Sequence, residues 1–135
     1  MTDLQTAKTN LAGHSICLCK DGKCLYGEKR GIAPIMDFIA DGVDLNGYSV
    51  ADKVVGKAAA MLLIKCGVKS VYAEVLSGHG KRILERYGVA VDHATLTESI
   101  INRAGTDMCP MEKAVLDTDN LDEAFAILKE KTQKA

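Results

Sequence analysis

The chain has 135 residues, of which 17 are basic and 18 acidic, so its net charge at neutral pH is -1. Because neither charge sign forms a long run, we expect no nucleic-acid partner. No apolar stretch reaches the roughly 18 residues that a membrane span needs, and the first residues lack the pattern of a signal peptide. We therefore expect a single domain, residues 1–135, in the cytoplasm, with no membrane partner. Its five cysteines predict free thiols, because the cytosol keeps thiols reduced.

The early part of the chain predicts a β-hairpin. Residues 15–20 and 23–27 are rich in strand-forming side chains and flank Asp21-Gly22, the pair typical of a two-residue turn. This turn places Cys19 opposite Cys24. Both faces of the hairpin carry side chains suited to burial, so we expect helices to cover the sheet on both sides.

Two short helices flank the hairpin in the prediction. Residues 3–11 have helical apolar spacing and should pack across the sheet. Residues 32–40 have Pro34 near their start and Gly42 just after their end, which suits a second short helix.

The longest predicted helix starts at Ser49 and stops at Gly67. Ser49 is its expected N-cap, and Asp52 stands three residues later in the capping-box position. Most of its interior is small and apolar, which is typical of a largely buried helix.

The second half of the chain predicts a βαβ unit. Residues 68–75 form a strand, Ser77 opens a helix that ends at Gly88, and residues 89–93 form a parallel strand. Further helical pieces are expected at residues 97–103, from Cys109 onward and at residues 121–131.

Two stretches carry a resemblance to a known family: residues 47–60, GYSVADKVVGKAAA, and residues 109–115, CPMEKAV. Together with the order of elements, they resemble a small prokaryotic family of unknown function that has the cytidine-deaminase-like fold. The resemblance implies an α/β protein, a three-layer α/β/α sandwich whose mixed sheet contains an N-terminal β-hairpin and a βαβ unit. It also implies a pocket, without an established reaction.

Zinc-dependent deaminases of this superfamily carry His-x-Glu or Cys-x-Glu at the start of the first long helix and Pro-Cys-x-x-Cys at the start of the next. In this chain, residues 52–54 lack the glutamate, and residues 77–80 lack both cysteines. Residues 109–112 contain a Cys-Pro pair, but they follow the second βαβ strand and so come too late in the topology. The resemblance therefore implies the fold without its metal site, and we expect no metal, no other cofactor and no zinc-dependent deamination.

Cys109 and Glu112 are the candidate catalytic residues. Proline is favoured at the first helical position, so Cys109 is the expected N-cap of a helix, where a thiolate is stabilised. Glu112, three residues later, would share its face. A structural interpretation stays open, in which Cys109 is a small buried residue and Glu112 complements the helix dipole.

Ser77, Gly78 and His79 form a candidate ligand site at the exit of a strand and the start of a helix, where backbone N–H groups can receive an anion. Asp52 and Lys53 are expected at the same end of the sheet. The alternatives are that Ser77 and Asp52 are only capping residues and that His79 is a solvated surface side chain.

Arg103 and Asp107 complete the candidate ligand-binding residues. They lie on the loop before Cys109, where polar side chains could contact a ligand. Ordinary loop polarity would look the same.

Cys17, Cys19 and Cys24 cluster on one face of the predicted hairpin. The cluster suggests a metal site, but three thiols without an evident fourth ligand fit zinc poorly. Core packing is the favoured interpretation, since cysteine is often a small buried hydrophobe.

The sequence leaves three candidate functions. The first is binding of a small-molecule ligand of the nucleoside or nucleotide type, which rests on fold analogy. The second is a thiol-dependent enzyme that uses Cys109, and the third is a non-catalytic scaffold or homodimer.

Overall fold

The structure is a computed structural model that describes residues 1–102 and 104–133. Along the chain its elements are α1 (Asp3–Asn10), β1 (Ile16–Lys20), β2 (Lys23–Gly27), α2 (Ala33–Ala40), β3 (Ser49–Val55), α3 (Lys57–Lys65), β4 (Ser70–Ser77), α4 (Gly78–Arg86), β5 (Ala90–Thr97), α5 (Pro110–Ala114) and α6 (Leu121–Gln133).

The five strands form one mixed sheet in the order β2-β1-β3-β4-β5. Strand β1 is antiparallel to both β2 and β3, whereas β3, β4 and β5 run parallel to one another. The predicted hairpin and its register are confirmed, with Cys19 opposite Cys24. Asp21 and Gly22 have φ values of 52° and 83°, the positive values that both central residues of a type I′ turn need.

Helices cover the two faces of the sheet unequally. On one face α1 packs over β1 and β3, burying Ala7 and Leu11 against Cys17, Cys19 and Ala51. On the other face α2, α3, α4 and α6 contribute to one large apolar cluster. The expectation of cover on both sides is confirmed, and so is the predicted βαβ unit of β4, α4 and β5.

The predicted long helix from Ser49 is wrong in its first half, because residues 49–55 are the central strand β3. The β-branched Val50 and Val55 have no exposed surface, and such side chains favour a strand packed on both faces. Ser49 therefore does not cap a helix, and Asp52 lies in the sheet rather than in a capping box. The helix is only α3, with Gly56 as its N-cap.

The helix predicted over residues 97–103 is also wrong. Strand β5 continues to Thr97, and Ile101 then forms an isolated antiparallel bridge with Met108. Arg103 itself lies outside the described residues. The helices predicted at Cys109-Pro110 and near residues 121–131 are confirmed as α5 and α6, and α6 buries Ala124 and Leu128 against its own domain.

A disulfide joins Cys19 and Cys24 across the hairpin. The prediction of free thiols is wrong for this pair, because the two-residue turn holds the two residues directly opposite each other, with their Cα atoms 4.2 Å apart. Cys17, Cys66 and Cys109 are free. Among the described residues, no helix is both long and apolar enough to cross a membrane.

Candidate functional site

An apolar cavity of about 90 Å³ lies where the starts of three helices meet the end of β3. We call it the inner cavity. Helix α2 contributes the residues at its start, α3 its N-cap and first turn, and α5 its N-cap and first turn. Its lining residues are Gly31, Ile32, Val54, Gly56, Ala58, Ala59, Ile100, Cys109, Met111 and Glu112.

A larger, open depression of about 760 Å³, which we call the outer groove, adjoins the inner cavity. The two share Gly31, Val54, Cys109 and Met111. The groove adds polar and basic side chains to this shared apolar wall: Ser15, Arg30, Lys53 and Asn102.

Cys109 is the N-cap of α5, as the sequence predicts, and Pro110 occupies the first turn. Its side chain makes no capping hydrogen bond, and its N–H donates to the carbonyl of Ile100 at 2.7 Å. Helix α5 has only five residues. The importance of Cys109 is therefore its position, since it lines both the inner cavity and the outer groove.

Glu112 lies beside Cys109 in the cavity lining, but the residue is only 1% exposed and its carboxylate accepts three hydrogen bonds. Oε1 accepts from the N–H of Lys57 at 2.9 Å and from Ser77 Oγ at 2.5 Å, and Oε2 accepts from the N–H of Ile100 at 2.6 Å. This carboxylate thus joins α5 to the start of α3, the end of β4 and the segment after β5. The geometry gives it a structural task that the sequence pattern did not reveal.

Ser77 is the N-cap of α4, as predicted, and its Oγ accepts from the N–H of Gly80 at 3.0 Å. Because the same hydroxyl donates to Glu112 and has no exposed surface, it faces the interior. The side chain of His79 instead contacts Ser99, with Nε2 3.1 Å from Ser99 Oγ. A Cβ added at Gly78 would approach the backbone carbonyl of Glu98 at 3.7 Å.

Asp52 and Lys53 point in different directions from β3. Lys53 lines the outer groove, with Nζ 4.0 Å from Glu74 Oε1. Asp52 is 5% exposed, and its Oδ2 has no hydrogen-bond partner among the described residues. Burial raises the pKa of Asp52 to about 8, although the N–H groups of Lys53 and Val54 oppose the rise. A carboxyl group with that pKa is mostly protonated at neutral pH.

Asp107 is exposed and pairs with Lys113, with Nζ 3.1 Å from Oδ2. The N–H of Met108 and this lysine together hold the pKa of Asp107 below its ordinary value. It lines a separate shallow depression with Thr106 and Met108, not the inner cavity. The predicted ligand-binding residues are therefore not brought together in one place: Lys53 lies at the groove, whereas Ser77, His79, Asp52 and Asp107 lie elsewhere.

Lys57 is a buried residue that sequence reasoning missed. It is 1% exposed, and its Nζ donates to the carbonyl of Leu116 at 2.8 Å and pairs with Asp119 Oδ1 at 2.8 Å. Asp119 also forms an ion pair with Arg86, with Nη1 2.5 Å from Oδ2. The hydrogen bond from Lys57 is the main cause that lowers the pKa of Asp119. The signal in the sequence was a single charged residue inside the apolar run at residues 54–64.

Two glycines let these elements approach closely. A Cβ at Gly56 would lie 3.0 Å from both Glu112 Oε1 and Ile100 Cγ1, and a Cβ at Gly80 would lie 3.1 Å from the backbone of Gly56. These contacts show why small residues stand where α3, α4 and α5 converge.

The observed topology changes which residues of this chain correspond to the positions of the deaminase motifs. The first helix after the hairpin is α2 and the next is α3, so the relevant starts are residues 31–37 and 55–60 rather than those at Asp52 and Ser77. Neither segment contains a histidine, cysteine or glutamate. The residue types at both starts do not fit the superfamily's zinc site.

A structure of a DUF1893 family protein from Thermotoga maritima is similar to this one, with a TM-score of 0.85 and 26% identity over 97% of this chain and 91% of that one. A dCMP deaminase from the cyanophage S-TIM5 has a TM-score of 0.47, with 15% identity over 67% of this chain and 92% of that one. A diaminohydroxyphosphoribosylaminopyrimidine deaminase/5-amino-6-(5-phosphoribosylamino)uracil reductase from Thermotoga maritima has a TM-score of 0.45, with 18% identity over 74% of this chain and 33% of that one. The fold is α/β with a mixed five-stranded sheet, and the structure of the DUF1893 family protein shares it.

None of the curated proteins compared with the chain matches it. A family model does match, over residues 7–132, and its description is a domain of unknown function, DUF1893. The chain belongs to the DUF1893 family.

Proposed function

We propose that this protein binds a small molecule whose apolar part enters the inner cavity and whose anionic part lies in the outer groove. The observation that carries the proposal is that an apolar cavity and a basic groove share a wall that contains Cys109. An apolar cavity beside a few polar groups is the usual form of a small-molecule site.

The charges favour an anionic ligand. Arg30 and Lys53 both line the groove, and Lys53 lies at 4.0 Å from Glu74 with about half of its side chain exposed, so its charge is only weakly compensated. Guanidinium and ammonium groups are the usual partners of phosphate. A ligand of the nucleoside monophosphate type, with an apolar ring face and a phosphate, has this combination of chemistry.

Calorimetry tests the proposal with three probes: cytidine 5′-monophosphate, adenosine 5′-monophosphate and ribose 5-phosphate. We expect at least one nucleotide to bind more tightly than ribose 5-phosphate, because only the nucleotides can fill the cavity. Arg30→Ala and Lys53→Ala should each weaken binding by roughly ten- to a hundredfold, since a hydrogen bond to a charged group contributes about 1.5–3 kcal/mol. Lys69→Ala, an exposed lysine that does not line the groove, is the matched control. The absence of binding to all three probes would contradict the proposal.

A thiol-dependent enzyme is a second candidate, because Cys109 is the one nucleophilic side chain among the described residues that line both spaces. Glu112 is poorly placed as its proton acceptor in this arrangement, since Oε1 already accepts two hydrogen bonds and Oε2 accepts one. Alkylation by iodoacetamide tests the idea, with Cys66 as an internal reference thiol. A nucleophilic Cys109 should react much faster than Cys66, and a bound nucleotide should protect it. Equal rates would rule out this candidate.

A further inference from the structure

Three sulfur atoms lie together on the sheet face covered by α1, in a different layer from the inner cavity. The Sγ atoms of Cys17, Cys19 and Cys24 are all within 4.8 Å of one another. Cys17 Sγ is 3.6 Å from Cys19 Sγ, and Cys19 is bonded to Cys24. Among residues 1–102 and 104–133, no other group of three histidine, cysteine or acidic side chains is close enough to share a metal ion.

The shape of this group argues against a simple exchange of disulfide partners. A thiolate attacks a disulfide along the line of the S–S bond. The three sulfurs instead form a compact triangle, which suits simultaneous contact with one ion.

We propose that, when the disulfide is reduced, Cys17, Cys19 and Cys24 together bind one thiophilic cation, and that this cation is Cu(I). Soft thiolate ligands select Cu(I) and Zn(II) among the common metals. With metal–sulfur bonds of about 2.3 Å, the sulfurs of a three-coordinate site lie about 4 Å apart. Cys17 and Cys19 are already at nearly that separation, so only Cys19 and Cys24 have to move apart.

Burial favours Cu(I) over Zn(II). Cys17 and Cys19 have no exposed surface, and no histidine or carboxylate of the described residues joins the group. Zinc prefers four ligands, and the described residues supply three. Asn10 Nδ2 lies 4.0 Å from Cys24 Sγ, so the amide is placed to donate a hydrogen bond to that sulfur.

The chemistry requires a reductant, for which a phosphine is suitable. The phosphine takes oxygen from water and becomes its oxide, while the disulfide accepts two electrons and two protons to give two thiols. The cation then displaces the thiol protons to solvent.

The test uses the full chain, reduced with a phosphine and kept free of oxygen, with Cu(I) titrated against the chelator bicinchoninate. We expect one Cu(I) per chain and a new near-ultraviolet thiolate-to-metal absorption. Cys17→Ser and Cys24→Ser should each weaken binding at least tenfold, whereas Cys66→Ser, which removes a free cysteine in the other layer, should bind as the wild type does.

Circular dichroism checks that the variants fold, and Cys24→Ser decides the question if Cys17→Ser does not fold, because Cys24 is only partly buried. Three results would overturn the proposal: no Cu(I) bound by the reduced chain, equal binding by Cys24→Ser and the wild type, or equal binding by the oxidised chain. A parallel titration with Zn(II) should show weaker binding; tighter binding of zinc would show that the assigned ion is wrong.

Discussion

Ser77 Oγ lies 2.5 Å from Glu112 Oε1, and this contact joins the end of β4 to a helix 35 residues further along the chain. The same oxygen accepts from the N–H of Lys57 at the start of α3. One buried carboxylate therefore sets the position of α5, and with it the position of Cys109 in the wall of the inner cavity.

Replacement of Glu112 by glutamine should destabilise the protein. The carboxylate accepts hydrogen bonds from Lys57, Ser77 and Ile100. In glutamine an NH2 group replaces one of the two oxygens, so at least one of these donors loses its acceptor. We expect a loss of about 1–3 kcal/mol in the free energy of unfolding. Urea denaturation measures it. Glu98→Gln, at an exposed position, is the matched control and should change stability by less than about 0.5 kcal/mol. Equal effects in the two variants would show that the network contributes nothing.

Asp52 should make the protein less stable as the pH rises. Its pKa is about 8 in the folded chain against 3.8 ordinarily, so between these values the folded state binds more protons than the unfolded state. The free energy of unfolding then falls by up to about 1.4 kcal/mol per pH unit across this window.

Asp52→Asn tests this pH dependence, because an amide does not titrate. Urea denaturation from pH 5 to pH 9 should show a flatter profile for this variant and a higher stability than the wild type at pH 8. Asp117→Asn, at an exposed position, should keep the wild-type slope. A wild-type profile that is flat between pH 5 and pH 8 would contradict the high pKa of Asp52.

Gly56→Ala should destabilise the protein although the backbone there, with φ of -99°, accepts alanine. The added Cβ would stand 3.0 Å from Glu112 Oε1 and from Ile100 Cγ1, and such overpacking costs about 1–3 kcal/mol. Gly78→Ala is the comparison, because its Cβ meets neighbours at ordinary distances of 3.7 and 3.8 Å. That variant should be neutral or slightly stabilised. Thermal unfolding of both variants decides the matter, and a stable Gly56→Ala would count against the close packing.

Lys57→Met should change both stability and the titration of Asp119. It leaves the carbonyl of Leu116 without its donor, which costs about 1–3 kcal/mol, and it removes the main cause that lowers the pKa of Asp119. Carboxyl titration by NMR should show that pKa moving up toward its ordinary value.

Lys65→Met is the control for Lys57→Met. Its partner Asp122 has 87% of its side chain exposed, so the substitution should cost less than about 1 kcal/mol and leave Asp119 unchanged. The pairing is refuted if the pKa of Asp119 is the same in Lys57→Met as in the wild type.

Local chemistry explains what could be predicted from the sequence. The hairpin was predictable because Asp21-Gly22 determines the turn and the turn determines the register. The cap at Ser77 was also predictable, because serine is a favoured N-cap residue. Strand β3 could not be predicted in this way. Its sequence matches helix signals, with Ser49, Asp52 and the alanine-rich residues after them, but burial between two neighbouring strands makes residues 49–55 a strand.

The candidate site could be predicted only in part. Cys109 was identified from its neighbour Pro110, and the structure places it in the cavity wall. The bond from Lys57 to Glu112 spans 55 residues, and no local pattern encodes a contact of that range. The groove residue Arg30 was not among the predicted site residues, because it and Lys53 come from distant parts of the chain and meet only in the lining of the groove.

The shortness of α5 has a consequence for motion. A five-residue helix is far below the roughly 12 residues at which a helix becomes marginally stable alone, so this wall of the cavity stays ordered through the bonds that Glu112 accepts. When those bonds break, the amide hydrogens of Lys57 and Ile100 lose their acceptor together. The two amides should therefore exchange with solvent as one cooperative unit, at a rate that reports how often the cavity opens.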